Sequence, residues 1–343
     1  MKTQLSTVFL ILAFSAALCG AEEKSFEALL SKAKDGDAYS QGAVASIYRR
    51  GRSDVRKDYI EAFKWATHSS VQNHPLGIFN LAVIYENGLG VKAEPAEAQA
   101  LYEQSFAGLK KLSDEGDPLA QGCLGFMYLT GKGVKKDPAA AEKYLLASAG
   151  KESSAAAFHN LGYLYLSRNN PADEEKAFEY FKKAAESGCP ASQYQIGMMY
   201  LSGKGVPKDS STAFRYISLA HIGGCEKAPT VFGIMLMDGI GSIADPVKAF
   251  KILSEEAKQG NVEASFRTGL IYLSGNGARQ DSEKAFEFIK FAADKEHPGA
   301  MYALGAMYEN GNGVGKDKSK AAELYKKAAA LGIKEAEKKL KAM

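Results

Sequence analysis

The sequence predicts an all-α solenoid built from stacked helix–turn–helix units, and three recurring features predict it. An acidic residue returns at Asp58, Glu94, Asp137, Asp173, Asp209, Asp245, Asp281 and Asp317, in steps of 36, 43, 36, 36, 36, 36 and 36 residues. An aromatic returns at Tyr48, Tyr85, Tyr128, Tyr165, Tyr200, Tyr272 and Tyr308, with Leu236 in its place in the sixth copy. Between the two landmarks lies a glycine-rich stretch such as Gly131-Lys132-Gly133 or Gly311-Asn312-Gly313. A period of this size means copies of one supersecondary unit, each burying its apolar side on its neighbours.

The elements follow in chain order. Lys2 and the apolar run Val8 to Leu18 have the form of a signal peptide, too short to span a bilayer well. Cleavage after Ala21 fits the small residues Cys19 and Ala21, so residues 1–21 are expected to be removed. A lipid anchor on Cys19 is disfavoured, because Leu18 stands where a small residue would be needed. Export places the mature protein in the periplasm or outside the cell. Residues 22–36, with Phe26, Leu29 and Leu30 before Gly36, are expected to form an N-terminal capping helix.

The repeats then run from residue 37 to 332. In the last copy Pro298 suits the first turn of a helix, where its missing N–H costs nothing. Ala300, Leu304 and Tyr308 make one apolar face, and Gly311 stands where a left-handed residue ends the helix. Asp317 caps the second helix, whose stripe is Ala321, Leu324, Tyr325 and Ala328. Gly305 costs a helix about 1 kcal/mol against alanine, which predicts close approach of the partner helix. The second copy is longer by seven residues around Phe106 to Leu112, which predicts about two extra helical turns. The fourth replaces the glycine turn by Asn169-Asn170-Pro171, and Asn also tolerates left-handed backbone. Residues 333–343, rich in Lys and Glu, are expected to close the open end as a polar capping helix, for about eighteen helices in all.

The pattern Ala-x3-Leu-Gly-x2-Tyr-x2-Gly-x-Gly-Val, then Asp-x3-Ala-x3-Tyr-x2-Ala-Ala, fits Ala300 to Ala329 nearly throughout and recurs in register from Asp37 to Gly332. It resembles the Sel-one-like repeat (SLR) family, relatives of the tetratricopeptide (TPR) repeats. The resemblance implies a right-handed α-solenoid of about eight repeats acting as an adaptor or scaffold for other proteins, often in bacterial envelopes, in host contact or in the eukaryotic endoplasmic reticulum.

Chemistry-bearing motifs do not assemble. Formal net charge is +3 with 43 basic and 40 acidic residues, too even to favour nucleic acid or an anionic membrane. The run Arg49, Arg50, Arg52, Arg56 and Lys57 reads as a solvated loop. The Gly-Lys-Gly turns lack P-loop spacing, and no cofactor is expected. The five histidines show no HExxH spacing, so no metal site is expected. Cys123, Cys189 and Cys225 form no framework. Adjacent units are about 10 Å apart and a disulfide needs Cα atoms within about 7 Å, which predicts free thiols. Some cysteine-rich SLR proteins are linked to β-lactamase activity, and Ser-x2-Lys occurs at Ser31/Lys34 and Ser148/Lys151. Neither has a companion Ser-Asp-Asn or Lys-Thr-Gly, so no catalytic residues are expected and that hydrolase is the first alternative to a scaffold. A structural part of an envelope assembly is the second.

A partner would lie on the first helices of the copies. Residues two and five before each tyrosine point away from the stacked core at 100° per residue. From these rows Asn80, Phe126, Asn160, Tyr163, Gln195, Met198 and Arg267 are the candidate contacts for a protein or peptide, since amides satisfy peptide hydrogen bonds and aromatics supply contact area.

Overall fold

A computed structural model describes residues 26–51, 55–152 and 154–342. The signal sequence and Cys19 lie outside the described residues. Within these residues the chain is all helix: α1 (Phe26–Lys34), α2 (Ala38–Arg50), α3 (Tyr59–Val71), α4 (Pro75–Asn87), α5 (Pro95–Asp114), α6 (Pro118–Thr130), α7 (Pro138–Glu152), α8 (Ala155–Leu166), α9 (Pro171–Glu186), α10 (Pro190–Ser202), α11 (Ser210–Ile222), α12 (Ala228–Asp238), α13 (Pro246–Lys258), α14 (Val262–Ser274), α15 (Ser282–Asp294), α16 (Pro298–Asn310), α17 (Lys318–Ala330) and α18 (Lys334–Ala342). Eight consecutive pairs run from α2/α3 to α16/α17, the solenoid that the two ladders predict. Two units are distinguished, the first ending at Cys189 and the second starting at Pro190.

Each pair is built by the same local devices. The first helix ends on a left-handed glycine, as at Gly131 and Gly311, whose N–H returns to the carbonyl four residues back. Asn169 takes a positive φ of 52° where the glycine turn is missing. The ladder acid then opens the second helix. Asp58, Asp137, Asp209, Asp245, Asp281 and Asp317 accept backbone N–H bonds from its first turn. Two ladder members depart from the expected capping. Glu94 makes no side-chain cap bond. Asp173 sits inside α9, whose cap is Asn170, because the Asn-Asn-Pro turn starts that helix three residues early. The seven extra residues of the second copy extend α5 to 20 residues against the usual 13.

Core side chains form a chain of small clusters. In the first unit Phe79, Ala82 and Leu76 of α4 meet Ala98, Tyr102 and Leu109 of α5 and Leu124 and Met127 of α6. In the second, Ala285 and Ile289 of α15 meet Leu304 and Met307 of α16, Tyr325 of α17 and Ala336 of α18. Gly305 has the predicted reason to be small, since a Cβ there would lie 2.9 Å from the Tyr325 ring. The same place is held by Gly125 against Leu145 and Gly162 against Phe181, each at 2.6 Å.

Within the first unit the neighbouring first helices α2, α4, α6 and α8 touch in succession, and the second helices approach one another less closely. The first helices therefore line the tighter, inner side of that unit.

Candidate functional site

The sequence-derived residues fall into two groups, one per unit. In the first unit Asn80 is 2% exposed, and so is not presented to a ligand. Its Nδ2 donates to the carbonyls of Leu76 at 2.8 Å and Gly42 at 3.0 Å, and its Oδ1 accepts from Arg49 Nε at 3.1 Å. Asn80 thus ties α4 to α2 and orients a guanidinium. Phe126 is half-buried, edge-on to Phe79 with centroids 5.9 Å apart. Lys132 Nζ lies 5.3 Å from the Phe126 ring while paired with Glu86. Asn160 on α8 is half-buried, and its side-chain amide makes no hydrogen bond among the described residues. One helical turn along, Tyr163 is 36% exposed, its ring edge-on to His159 at 4.9 Å and to Phe181 at 5.3 Å. Asn160 and Tyr163 therefore place an amide without an internal bond beside a partly exposed aromatic ring on α8.

In the second unit Gln195 and Met198 are half-buried on α10, and Met198 packs on the core around Phe232. Arg267 is committed within the protein. Its Nε bonds Glu263 at 2.7 Å, and its guanidinium lies 3.9 Å from Asp238. Glu263 also meets His297 Nε2 at 2.9 Å, while His297 Nδ1 accepts the Ala300 N–H at 3.1 Å. That cap fixes the proton on Nε2. Burial pushes the Glu263 carboxyl up, but Arg267 and His297 hold it below the ordinary range. Arg267 thereby links α14 to the end of α12, and Glu263 links α14 to the start of α16.

Arg49 and Arg50 were missed as site residues. Their run reads as a loop, yet α2 continues through both. Each is half-buried. Arg50 Nε bonds the Ser46 carbonyl at 3.3 Å. Both guanidiniums act on the Cys123 thiol of α6, so they reach along the inner side of the unit. Burial pushes that thiol up to about 12 against their pull. The signal available in sequence was positional. Other first helices run two residues past the aromatic landmark, as Glu86-Asn87 and Glu309-Asn310 do, so Arg49-Arg50 had to be helical too.

Sel1 repeat matches fall at residues 38–67, 75–107, 118–151, 155–189, 190–220, 233–261, 262–297 and 298–333, most of the chain. The chain belongs to the Sel1 repeat family. Among solved structures, this Sel1 repeat protein is similar to a protective antigen of uropathogenic Escherichia coli displaying an SLR fold. The two share 29% identity and a TM-score of 0.63 over 93% of this chain and 67% of the other. It is likewise similar to a Sel1 repeat protein from Oxalobacter formigenes, at 30% identity and a TM-score of 0.54 over 96% and 92% of the two chains. The APC/C Cut9–Hcn1 assembly shares the fold at 13% identity and a TM-score of 0.54, over 96% of this chain and 57% of the other.

Proposed function

We propose that this Sel1 repeat protein is an exported, non-catalytic scaffold that holds a protein or peptide on the inner face of its first helices. The observation that carries this reading is the pair on α8, Asn160 with an amide that makes no hydrogen bond among the described residues and Tyr163 with a side chain 36% exposed. Amide and aromatic together match a peptide, whose backbone needs hydrogen bonds and whose side chains need contact area. Ser148 supports the non-catalytic part. It is 1% exposed and its hydroxyl donates to the Pro118 carbonyl at 2.8 Å, so it is occupied structurally. The amino-terminal signal pattern supports export, and the similar E. coli protein is described as a protective antigen. No described helix is long and apolar enough to cross a membrane.

Site-specific photocrosslinking in the native cell tests the reading. A photoreactive residue in place of Tyr163 should trap a partner protein, whereas one at Lys182, exposed on the second helix α9, should not. Trapping at neither position, or equally at both, overturns it. Amino-terminal sequencing of the mature protein tests export, with Glu22 expected first. A chromogenic cephalosporin left intact by the pure protein is the expected outcome for the hydrolase alternative.

A further inference from the structure

The two arginines at the end of α2 are adjacent, half-buried cations bonded only to neutral groups among the described residues. Arg49 bonds an amide oxygen and Arg50 a backbone carbonyl, both neutral acceptors. Among the described residues no carboxylate pairs with either one, nor appears among the charges acting on them. Two adjacent half-buried guanidiniums repel each other and are poorly hydrated, a cost that folds normally offset with a carboxylate.

The repeat supplies an internal comparison. The position after the tyrosine landmark is Glu86 in the second copy and Glu309 in the last. Each of these accepts the phenol of a buried tyrosine on the second helix of its own pair, Tyr102 at 2.8 Å and Tyr325 at 2.6 Å. In the first copy both partners are changed. Arg49 stands for the glutamate and Ala66 for the tyrosine, while the neighbouring Trp65 Nε1 turns to Glu61 at 2.9 Å. The first copy thus lacks this bond and carries two adjacent half-buried cations instead, Arg49 held by Asn80 and Arg50 by the Ser46 carbonyl.

We propose that Arg49 and Arg50 form a carboxylate-recognition site on the inner face of the first unit, taking the acidic side chains of a protein segment. This rests on the scaffold reading above and names the chemistry of its partner. A planar guanidinium fork matches a carboxylate with two parallel hydrogen bonds. Charge complementarity favours an acidic peptide over a nucleic acid. Two cations can neutralise one or two carboxylates, whereas a phosphate backbone needs a longer basic track. Burial lowers the Arg49 guanidinium to about 10, with Arg50 beside it adding to the effect, as expected of a cation awaiting an anion. Peptide aromatic side chains would find Phe126 on α6.

Fluorescence anisotropy on the full mature chain tests the site, with a labelled glutamate-rich peptide, its glutamine counterpart and a thymidine oligonucleotide of equal charge as probes. The glutamate peptide should bind, weaken as salt is raised, and lose about tenfold or more in affinity in Arg50→Gln and in Arg49→Gln/Arg50→Gln. Arg50→Gln keeps the Asn80 bond and so tests the site if the double variant misfolds. Absence of glutamate-peptide binding, equal binding by wild type and Arg50→Gln, equal binding of the glutamine peptide, or tighter binding of the oligonucleotide overturns the proposal. A partner still trapped at position 163 alongside any of these results sinks the arginine site alone, while loss of trapping there sinks the scaffold reading as well.

Discussion

The backbone N–H of Asp317 donates to the carbonyl of Tyr308 at 2.9 Å, closing the turn between α16 and α17. The same bond joins Asp58 to Tyr48, Asp137 to Tyr128, Asp209 to Tyr200 and Asp281 to Tyr272 at 2.9 to 3.1 Å. The two ladders visible in the sequence are thus the two ends of one clasp. The aspartate uses its main chain to hold the first helix and its side chain to start the second. Asp317→Ala keeps the clasp and loses the cap, so it should cost about 1 kcal/mol in a denaturant titration.

The two glycines of one turn should differ sharply. Gly311 has a φ of +78° and faces the flexible Lys316 side chain, so Gly311→Ala should cost about 1 kcal/mol of left-handed strain. Gly313 has a φ of +67°, and a Cβ there would overlap the Ser282 carbonyl oxygen, with the carbonyl carbon 2.5 Å away. Main chain cannot yield as a lysine can. Gly313→Ala should therefore cost about 3 kcal/mol or more, and amide exchange should rise selectively in α16 to α18.

Asn80 and Arg50 should respond in opposite ways. Asn80→Ala strips acceptors and donors from three buried or half-buried groups and should cost about 2–4 kcal/mol. Arg50→Gln removes a desolvated cation with no carboxylate partner among the described residues and should leave the unfolding midpoint unchanged or raise it. A lowered midpoint in Arg50→Gln would mean that the arginine serves the fold after all.

Stability should fall in two steps on acidification. Burial holds His74 and His221 below the ordinary value of 6.5, so the fold favours their neutral forms. That contribution is whole above about pH 6.5 and is lost as pH drops through the lower folded values. The caps Asp281 and Asp317 are held below the ordinary 3.8 by bonds from the helix N–H groups they cap, so their contribution disappears only as pH falls past that range. Calorimetric scans across pH should show both steps. His74→Asn, which keeps a capping acceptor, should shrink the first one alone.

Cys123 should be an inert thiol. With its ionisation pushed up to about 12, little thiolate exists near neutrality. Iodoacetamide at mildly alkaline pH should label it far more slowly in the native protein than after unfolding, as read by mass spectrometry. Because the two arginines favour the thiolate, the Arg50→Gln variant should react more slowly still.

Period, pairing and the small residue of each first helix were legible in the sequence, because they depend on features repeated in every copy. The extra turns of α5 and the left-handed Asn169 followed from length and residue type. The candidate site was less legible, because helix phase alone does not tell an open side chain from one consumed by a neighbour. Asn80 and Arg267 share the phase of Asn160, yet the first is enclosed by Leu76, Gly42 and Arg49, and the second is drawn to Glu263. Arg49 and Arg50 escaped notice because a run of like charges was weighed as composition, when its offset from Tyr48 placed it inside α2.

The contact of Gly313 with Ser282 has its counterpart where Gly241 meets Ser210 and Gly277 meets Pro246. Spacing between successive modules is therefore gauged by peptide groups abutting directly, without any side chain in between. A duplicated or transplanted module would keep its pitch however far its outward residues had diverged. New specificities could then accumulate copy by copy on an unchanging pitch.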